Sequence, residues 1–418
     1  MPFTKDIQRM VEALASQAAV AIDNQQLIEA QKALMDSLIA VMAGAIDAKS
    51  PYTGGHCQRV PELTKMLAKK AHDATEGPFK DFKLDEGDWY ELHVAAWLHD
   101  IGKVTTPEYV VDKATKLQTI YDRIHEVRMR FEVLRRDAEI KMLKAIAKGK
   151  SARVERKKFK ERCDELHAQW KFIAETNLGG EFMAKEKQDQ VKVIAAQQWY
   201  RYFDRSMGLS WAEAKILDKV PPPAEGFENL LADLPEHAAA EYHLGEVLNL
   251  CIARGTLNDD ERKKINDHIV LTIQMLKDLP FPKHLRRVPE YAGGHHEKMD
   301  GTGYPNKLHG HQMSLPARIM AIADIFEALT AADRPYKKAK TLSESVKILS
   351  FMKKDKHVDA DLFELFLSSG AYKDYAEQFL KPEQVDTVDV SKYLTPPSAP
   401  PPPPANTPGP APQQQAAE

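Results

Sequence analysis

Apolar residues recur at spacings of three and four over residues 4–48, with charged residues between them. The recurring positions are Ile7, Val11, Leu14, Ala18 and Ala21, followed by Leu34, Leu38, Val41 and Ala45. This spacing predicts one long amphipathic helix, or two nearly continuous ones. Because one such helix cannot bury its own stripe, it needs either the core of its own domain or a twin helix in a dimeric coiled coil. The length of the stripe favours the second interpretation, a signalling and dimerisation helix.

Helical periodicity returns over about residues 52–112 and ends in an apolar run that leads into His99–Lys103. Residues 118–177 then predict an inserted helical hairpin with a turn at Lys148–Ser151. The heptad-spaced apolar residues are Ile120, Ile124, Val127, Phe131 and Leu134 on the first arm, and Phe159, Cys163, Leu166, Trp170 and Ile173 on the second. The hairpin is locally basic. This indicates a solvated outer face, the favoured interpretation, or a docking surface for an acidic protein partner.

The pattern resumes as helix near Glu241 and continues to about Tyr393, and we find no convincing period-two alternation typical of strands. The predicted fold class is therefore all-α. We expect an N-terminal helix over 1–48, a main domain in two parts over 49–117 and 246–393, a helical insertion over 118–245, and a disordered Pro-rich tail over 394–418.

Composition narrows the class of protein. The chain has 418 residues, of which 43% are hydrophobic and 28% are charged, so it can build a sizeable core. Its formal net charge is −3, which disfavours a role in coating nucleic acid. Three widely separated cysteines argue against a disulfide framework, and no apolar stretch approaches the roughly 20 residues of a membrane span. We therefore expect a cytoplasmic protein with no membrane segment in this stretch of chain.

Histidine and aspartate residues in apolar segments are the candidates for metal binding. Asp324 lies in an apolar helix, where a carboxylate is costly unless a cation pairs with it; a Lys or Arg salt bridge is the simplest such partner. His99-Asp100 ends another apolar helix, and the pair His295-His296 opens a loop. Each piece alone is a weak signal. With His56 and His268 added, five histidines and two aspartates provide enough ligands for a two-metal site.

Five sequence strings together resemble the HD-GYP phosphodiesterases, a branch of the HD metal-dependent phosphohydrolases. They are His56-x-x-Arg59-Val60, His99-Asp100-Ile101-Gly102-Lys103, Thr256-Leu257 leading to His268, His295-His296-Glu297 through Asp300-Gly301-Thr302-Gly303-Tyr304-Pro305, and Ala317-Arg318-Ile319 through Asp324 to Asp333-Arg334-Pro335-Tyr336. They occur in family order over about 40–115 and 245–350, and the block over about 118–245 departs from the family pattern. Residues 15–24 also resemble the closing helix of a GAF sensor domain.

The resemblance implies an HD-type helical bundle that binds two metals. It assigns His56, His99, Asp100 and Asp324 to one metal and His268, His295 and His296 to the other, with Asp100 bridging. His125 competes weakly with His268 for the same role. Members with three metals carry a Glu where this chain has Tyr52, so two metals are expected. Iron or manganese is favoured, with nickel, cobalt or zinc as alternatives.

The family's reaction is the hydrolysis of cyclic di-GMP to the linear dinucleotide and further to GMP. Two metals would lower the pKa of a water and clamp an anionic phosphate, with Lys103 neutralising added charge. The loop residues Asp300, Gly301, Gly303, Tyr304 and Pro305 are expected beside the guanine, and Arg318 and Arg334 are candidates for phosphate or guanine edges. The alternatives are a non-catalytic cyclic di-GMP receptor and a phosphohydrolase of another cyclic dinucleotide.

Overall fold

The computed structural model describes residues 4–49, 55–180, 182–219, 221–332 and 339–395. Its first part consists of α1 (Lys5–Lys49), α2 (His56–His72), α3 (Glu86–Leu98), a 3-10 turn (Ile101–Thr105) and α4 (Glu108–Val111). The insertion holds α5 (Ile124–Ala147), α6 (Ala152–Asn177), α7 (Lys185–Ala195), β1 (Gln198–Arg201), α8 (Trp211–Leu217), β2 (Gly226–Asn229), α9 (Pro235–Ala239) and α10 (Glu246–Leu250). The last part holds α11 (Asp259–Lys277), α12 (Val288–Gly293), α13 (Leu315–Thr330), α14 (Leu342–Lys354), α15 (Ala360–Ser368) and α16 (Ala371–Phe379).

The main domain is a helical bundle made from both ends of the chain. Helix α2 packs against α3 and α13, and α11 packs against α12 and the 3-10 turn that follows Asp100. Local sequence fixes where these helices start: Asp85 and Asp88 exchange side-chain to backbone hydrogen bonds at the start of α3, and Asn258 and Glu261 do the same at α11. The all-α prediction is confirmed.

Helix α1 has two apolar faces, and the one that packs on the domain is not the predicted stripe. Ile39, Ala43 and Ile46 are buried in the core of the bundle. Leu34, Leu38 and Val41 are instead exposed, as is every residue from 4 to 34. The predicted stripe therefore remains uncovered because the domain uses the neighbouring face of the same helix.

The insertion is more than the predicted hairpin, because it has a core of its own. The hairpin arms are α5 and α6, and their residues Val127, Phe131, Leu134, Leu166 and Ile173 are buried as the heptads predict. Beyond the arms, the same core takes in Leu117, Met183, Val191, Ile194, Ala195, Leu230, Leu231 and Leu250. Ile120 was wrongly placed on the first arm: it precedes α5 and is 92% exposed.

A small antiparallel sheet in the insertion also differs from the sequence prediction. Strand β1 pairs with β2 over four residues each, with Gln198 opposite Asn229 and Arg201 opposite Gly226. Strands this short contain too few residues for an alternating pattern to stand out. In the described ranges, no helix is both long and apolar enough to cross a membrane.

Candidate metal centre

Four ligand-type side chains meet where α2, α3 and α13 converge. His56 is the first residue of α2, His99 and Asp100 follow α3, and Asp324 lies in the middle of α13. One ligand-type atom from each lies within 4.8 Å of the others. Three of these residues are buried and Asp324 is partly buried. The packing of α2 on α13 thus brings together residues that lie far apart in the sequence.

A second cluster consists of three histidines, one from α11 and two from the turn after α12. Its members are His268, His295 and His296, with ligand atoms again within 4.8 Å of one another. The imidazole rings of His295 and His296 lie 4.2 Å apart between centroids. The rings of His99 and His295, one from each cluster, are 5.0 Å apart. The two clusters are therefore adjacent.

The carboxylate of Asp100 faces both clusters. Its Oδ2 atom is 3.1 Å from His56 Nε2 and 3.2 Å from His99 Nε2. Its Oδ1 atom is 3.3 Å from His268 Nε2. A carboxylate that offers one oxygen to each of two ligand sets is suited to bridge two metal ions.

Close packing at Gly102 places His268 beside Asp100. A Cβ atom at Gly102 would lie 1.9 Å from the carbonyl oxygen of His268, so only glycine allows this approach. The backbone N–H of Gly102 also donates to Thr272 Oγ1 at 2.9 Å, one helical turn further along α11. The segment after Asp100 is thereby fixed directly against the helix that carries His268.

Three histidines share one hydrogen-bond pattern that leaves Nε2 available. Nδ1 of His99 and of His295 each donate to a backbone carbonyl three residues earlier, at 2.7 Å, and Nδ1 of His268 donates to the carbonyl of Ile265 in the same way. These bonds place the proton on Nδ1 and the lone pair on Nε2. All three Nε2 atoms are buried and have no hydrogen-bond partner within the described ranges. Buried, unsatisfied imidazole nitrogens facing a carboxylate fit a set of divalent metal ligands.

His56 has a different partner, the buried carboxylate of Glu327. His56 Nδ1 lies 2.5 Å from Glu327 Oε2, and Arg59 Nη2 lies 2.7 Å from Glu327 Oε1. Such carboxylate–histidine contacts orient a metal ligand and raise its basicity. Burial would raise the pKa of Glu327, but His56 and then Arg59 outweigh this effect and lower the pKa to about 2. Glu327 was not among the predicted site residues; its only sequence signal is its position three residues after Asp324, on the same helix face.

The protonation states of the clusters follow from burial and neighbouring charge. Burial, followed by the neighbouring His99, lowers the pKa of His295 to about 4, and burial with His295 and His268 lowers the pKa of His296 well below its ordinary value. Burial would also lower the pKa of His56, but Glu327 and the hydrogen bond with Asp100 raise it to about 10. A metal ion held by His56 would therefore compete with a proton for that ring, while burial favours the neutral form of His295 and His296.

Lys103 points at the shared carboxylate. Its Nζ atom lies 2.5 Å from Asp100 Oδ2, and its side chain is 29% exposed. Burial would raise the pKa of Asp100, but Lys103 and then His99 hold it well below its ordinary value. Lys103 is thus both a counter-ion of Asp100 and a positive charge at the edge of the site.

The loop after His296 carries most of the predicted substrate-binding residues. The Tyr304 ring stacks on the His296 ring, with centroids 4.9 Å apart and planes inclined by 16°. Pro305 follows through a cis peptide bond. Buried Glu297 organises the loop by accepting from the backbone N–H of Asn306 at 2.7 Å and of Leu308 at 2.9 Å.

The two glycines and the aspartate of this loop have structural contacts. A Cβ at Gly303 would lie 2.4 Å from the backbone nitrogen of Lys298, and Gly301 has a φ of +77°. The Asp300 carboxylate accepts from the backbone N–H and the hydroxyl of Thr302, at 2.9 and 2.7 Å, and so closes a turn. These three residues shape the loop that presents Tyr304.

The remaining residues considered for the site lie outside this loop. Arg318 forms an ion pair with Asp359 at 2.6 Å, so part of its guanidinium is already engaged. Arg334 and Tyr52 lie outside the described residues. His125 is exposed on α5 in the insertion, whereas His268 belongs to the histidine cluster.

Comparison with known proteins agrees with this architecture. Residues 228–362 match the family model of the HD domain. This segment is therefore similar to an HD domain. The matched stretch includes His268, His295, His296 and Asp324, while the structure adds His56, His99 and Asp100 from the part of the chain before the insertion.

Curated proteins that are named as phosphodiesterases of cyclic dinucleotides are similar to part of this chain. Over 116 residues it is 39% identical to 3'3'-cGAMP-specific phosphodiesterase 1 of Vibrio cholerae, covering 27% of this chain and 25% of that protein. Over 144 residues it is 33% identical to a cyclic di-GMP phosphodiesterase of Pseudomonas aeruginosa, covering 34% and 32%. Over 171 residues it is 29% identical to the cyclic di-GMP phosphodiesterase response regulator RpfG of Xanthomonas campestris, covering 41% and 39%. The matches span between a quarter and two-fifths of these relatives.

Proposed function

We propose that this protein is a metal-dependent phosphodiesterase that hydrolyses cyclic di-GMP to the linear dinucleotide and further to GMP, in bacterial second-messenger signalling within the cytoplasm. The observation that carries the proposal is the pair of adjacent ligand clusters that share the carboxylate of Asp100. The names of the similar proteins support the reaction class.

The proposed centre takes two divalent transition metals, with iron or manganese favoured. His56, His99, Asp100 and Asp324 would hold one ion, and His268, His295 and His296 the other, with Asp100 between them. When bound, such ions lower the pKa of a water molecule and stabilise negative charge on a phosphate. The family's preference and the histidine-rich ligand set support this choice of metals.

The chain's own side chains would bind and orient the substrate. Lys103 brings a positive charge to the edge of the site, where it would neutralise charge that develops on the phosphate. The Tyr304 ring, held against His296 by the Glu297-organised loop, offers an aromatic face for a guanine. Asp300, Gly301, Gly303 and Pro305 would act by shaping this loop. Arg318 and Arg334 remain proposed contacts for phosphate or guanine edges.

A second candidate substrate is 3'3'-cGAMP. Relatives named as specific for that dinucleotide are 39% and 41% identical to this chain over their matched segments. The two substrates differ in one base, so the same metal and phosphate contacts would serve both. A receptor that binds without turnover is the remaining alternative.

Hydrolysis by metal-loaded protein, with separation of the products, tests the function directly. We expect the full chain to convert cyclic di-GMP, and assays with 3'3'-cGAMP would rank the two substrates. Asp100→Ala should lose metal and hydrolysis together, because it removes the carboxylate that faces both clusters, while helical content persists. His125→Ala is the matched control, since that histidine is exposed on the insertion. Cyclic di-GMP turnover by Asp100→Ala at the parent rate would contradict the site assignment.

We also propose that α1 pairs with its twin in a homodimer and is the last helix of an upstream GAF-like sensor. The exposed stripe containing Ile7, Val11 and Leu14 supports this role, since a second copy would cover it. The basic hairpin of α5 and α6 would dock an acidic protein partner. Its exposed turn region, with Lys148 and Lys150, supports this secondary proposal.

A further inference from the structure

The C-terminal end of α1 forms hydrogen bonds with two of the three segments that supply the first ligand cluster, the start of α2 and the turn after Asp100. Two residues make these contacts, Asp47 and Lys49, one turn or less from the end of the helix. Neither is a ligand, and neither belongs to the residues proposed to touch substrate. Their contacts therefore connect α1, whose residues 4–34 are exposed, to the proposed metal centre.

Asp47 acts on the helix that begins with His56. The preceding residue, Gly55, has a φ of +91° and provides no side-chain cap for α2. Asp47 accepts hydrogen bonds there from the backbone N–H of Gly55 at 3.1 Å and of Cys57 at 3.5 Å. A carboxylate at this position satisfies donors that a helix leaves unpaired and interacts favourably with the positive end of its dipole. Asp47 thus supplies from another helix the cap that α2 lacks.

Lys49 acts on the turn that follows Asp100. Its Nζ atom donates to the backbone carbonyl of Lys103 at 3.3 Å and to that of Val104. Both carbonyls belong to the 3-10 turn Ile101–Thr105, which also carries Lys103. Lys49 therefore fixes the backbone from which Lys103 reaches the Asp100 carboxylate.

We infer that Asp47 and Lys49 are positioning residues through which α1 sets the geometry of the first ligand cluster. His56 begins α2 and Asp100 precedes the 3-10 turn, and His56 Nε2 lies only 3.1 Å from Asp100 Oδ2. A small shift of either segment therefore changes the distances between ligands. A tilt or rotation of α1 would move both segments together. The inference rests on the proposed metal-dependent function and adds a route by which the helix regulates it.

The test compares Asp47→Ala, Asp47→Asn and Lys49→Met with the control Lys32→Met in the full-length protein. Lys32 also lies on α1, and its Nζ atom lies 4.5 Å over the ring of Tyr90, in the body of α3 rather than at the start of α2 or in the turn after Asp100. Mn²⁺ or Co²⁺ titration gives stoichiometry and affinity, thermal unfolding gives stability, and kcat and KM are measured with cyclic di-GMP at saturating metal.

We expect Asp47→Ala and Lys49→Met to weaken binding of one of the two ions about tenfold, as is typical when groups that support metal ligands are removed. Asp47→Asn, which keeps an oxygen acceptor, should recover part of the loss. The value of kcat should fall while KM stays unchanged, because neither residue contacts substrate. Lys32→Met should alter stability alone.

Parent-like metal affinity in Asp47→Ala and Lys49→Met would overturn the inference, as would losses that merely track stability and recur in Lys32→Met. Failure of the proposed function looks different: the parent protein itself would then bind no metal or would not hydrolyse a cyclic dinucleotide.

Discussion

Gly102 shows how one missing side chain can organise a site built from distant segments. It places the turn after Asp100 in contact with the backbone of α11 at His268, at a distance that leaves no space for a Cβ. The family resemblance drew attention to this glycine only as part of a motif. The structure gives it a physical role, since the separation of the two ligand clusters depends on it.

Gly102→Ala should therefore lose metal from both clusters. The added methyl would force apart the turn and α11, at a cost of about 1–3 kcal/mol in the free energy of unfolding, typical of overpacking in a core. Metal content by elemental analysis and unfolding in denaturant measure the two effects. Gly44→Ala is the matched control: nothing lies within 4 Å of its added Cβ, and alanine favours helix, so metal content should not change. Full metal content in Gly102→Ala would contradict the proposed role.

At the scale of single residues, the sequence predicted the candidate ligands but not the side chains that support them. The seven ligand-type residues were expected from histidine and aspartate in apolar context together with the family strings, and each of them lies in one of the two clusters. Glu327 was not predicted, because a residue that forms a hydrogen bond with a metal ligand has no characteristic residue type or sequence spacing. Likewise, the ion pair of Arg318 with Asp359 joins residues 41 positions apart, and pattern along the chain does not reveal such a pair.

At the level of elements, apolar periodicity predicted well which segments form helices. It predicted less well which face of each helix is buried. The arms of the hairpin were predicted because heptads repeat over several turns, and buried positions such as Val127 and Ile173 follow them. Helix α1 carries two apolar faces, so periodicity alone could not tell which one the domain covers. The short strands β1 and β2 gave no pattern that could be recognised.

The division of α1 at about residue 35 leads to a prediction for the dimer. Every residue from 4 to 34 is exposed, whereas Ile39, Ala43 and Ile46 anchor the rest of the helix in the domain. Deletion of residues 1–34 should therefore produce a monomer in light scattering, because it removes most of the uncovered stripe. Metal content should remain at the parent level, since Asp47 and Lys49 are retained. A truncated protein that stays dimeric would place the interface elsewhere, and deletion of the hairpin tip would then be the variant to compare.

At the scale of the whole molecule, the insertion is attached directly to the helix that carries His268. Lys113, just before the insertion, forms a buried ion pair with Glu261 in the first turn of α11, at 2.7 and 2.8 Å. The Asn258 side chain, which caps the same helix, donates to backbone carbonyls of Tyr242 and His243 in the insertion. The insertion thus supports one cluster, while α1 contacts two of the three segments that supply the other.

Glu261→Gln tests how much the ion pair with Lys113 supports α11. It would leave the Lys113 ammonium buried without its partner charge, which costs about 3–5 kcal/mol for pairs of this kind. We expect a large fall in the unfolding midpoint and weaker binding of one metal ion. Glu175→Gln, in an exposed pair with Lys171 on α6, should change stability by less than about 0.5 kcal/mol. The double variant Lys113→Met/Glu261→Gln should recover part of the loss; if Glu261→Gln behaves like Glu175→Gln, this ion pair does not support α11.

The separate core of the insertion has a consequence for how the protein is made. All of the residues in that core precede His268, so this unit can fold while the rest of the bundle is still being synthesised. Once folded, the insertion shortens the flexible chain between Asp100 and His268. Each halving of the length of that flexible chain lowers the entropic cost of bringing the two residues together by about 0.6 kcal/mol. The ligand set is completed only when Asp324 has emerged from the ribosome. Metal binding should therefore be among the last events in the maturation of this chain, after the insertion, its largest departure from the family pattern, has folded.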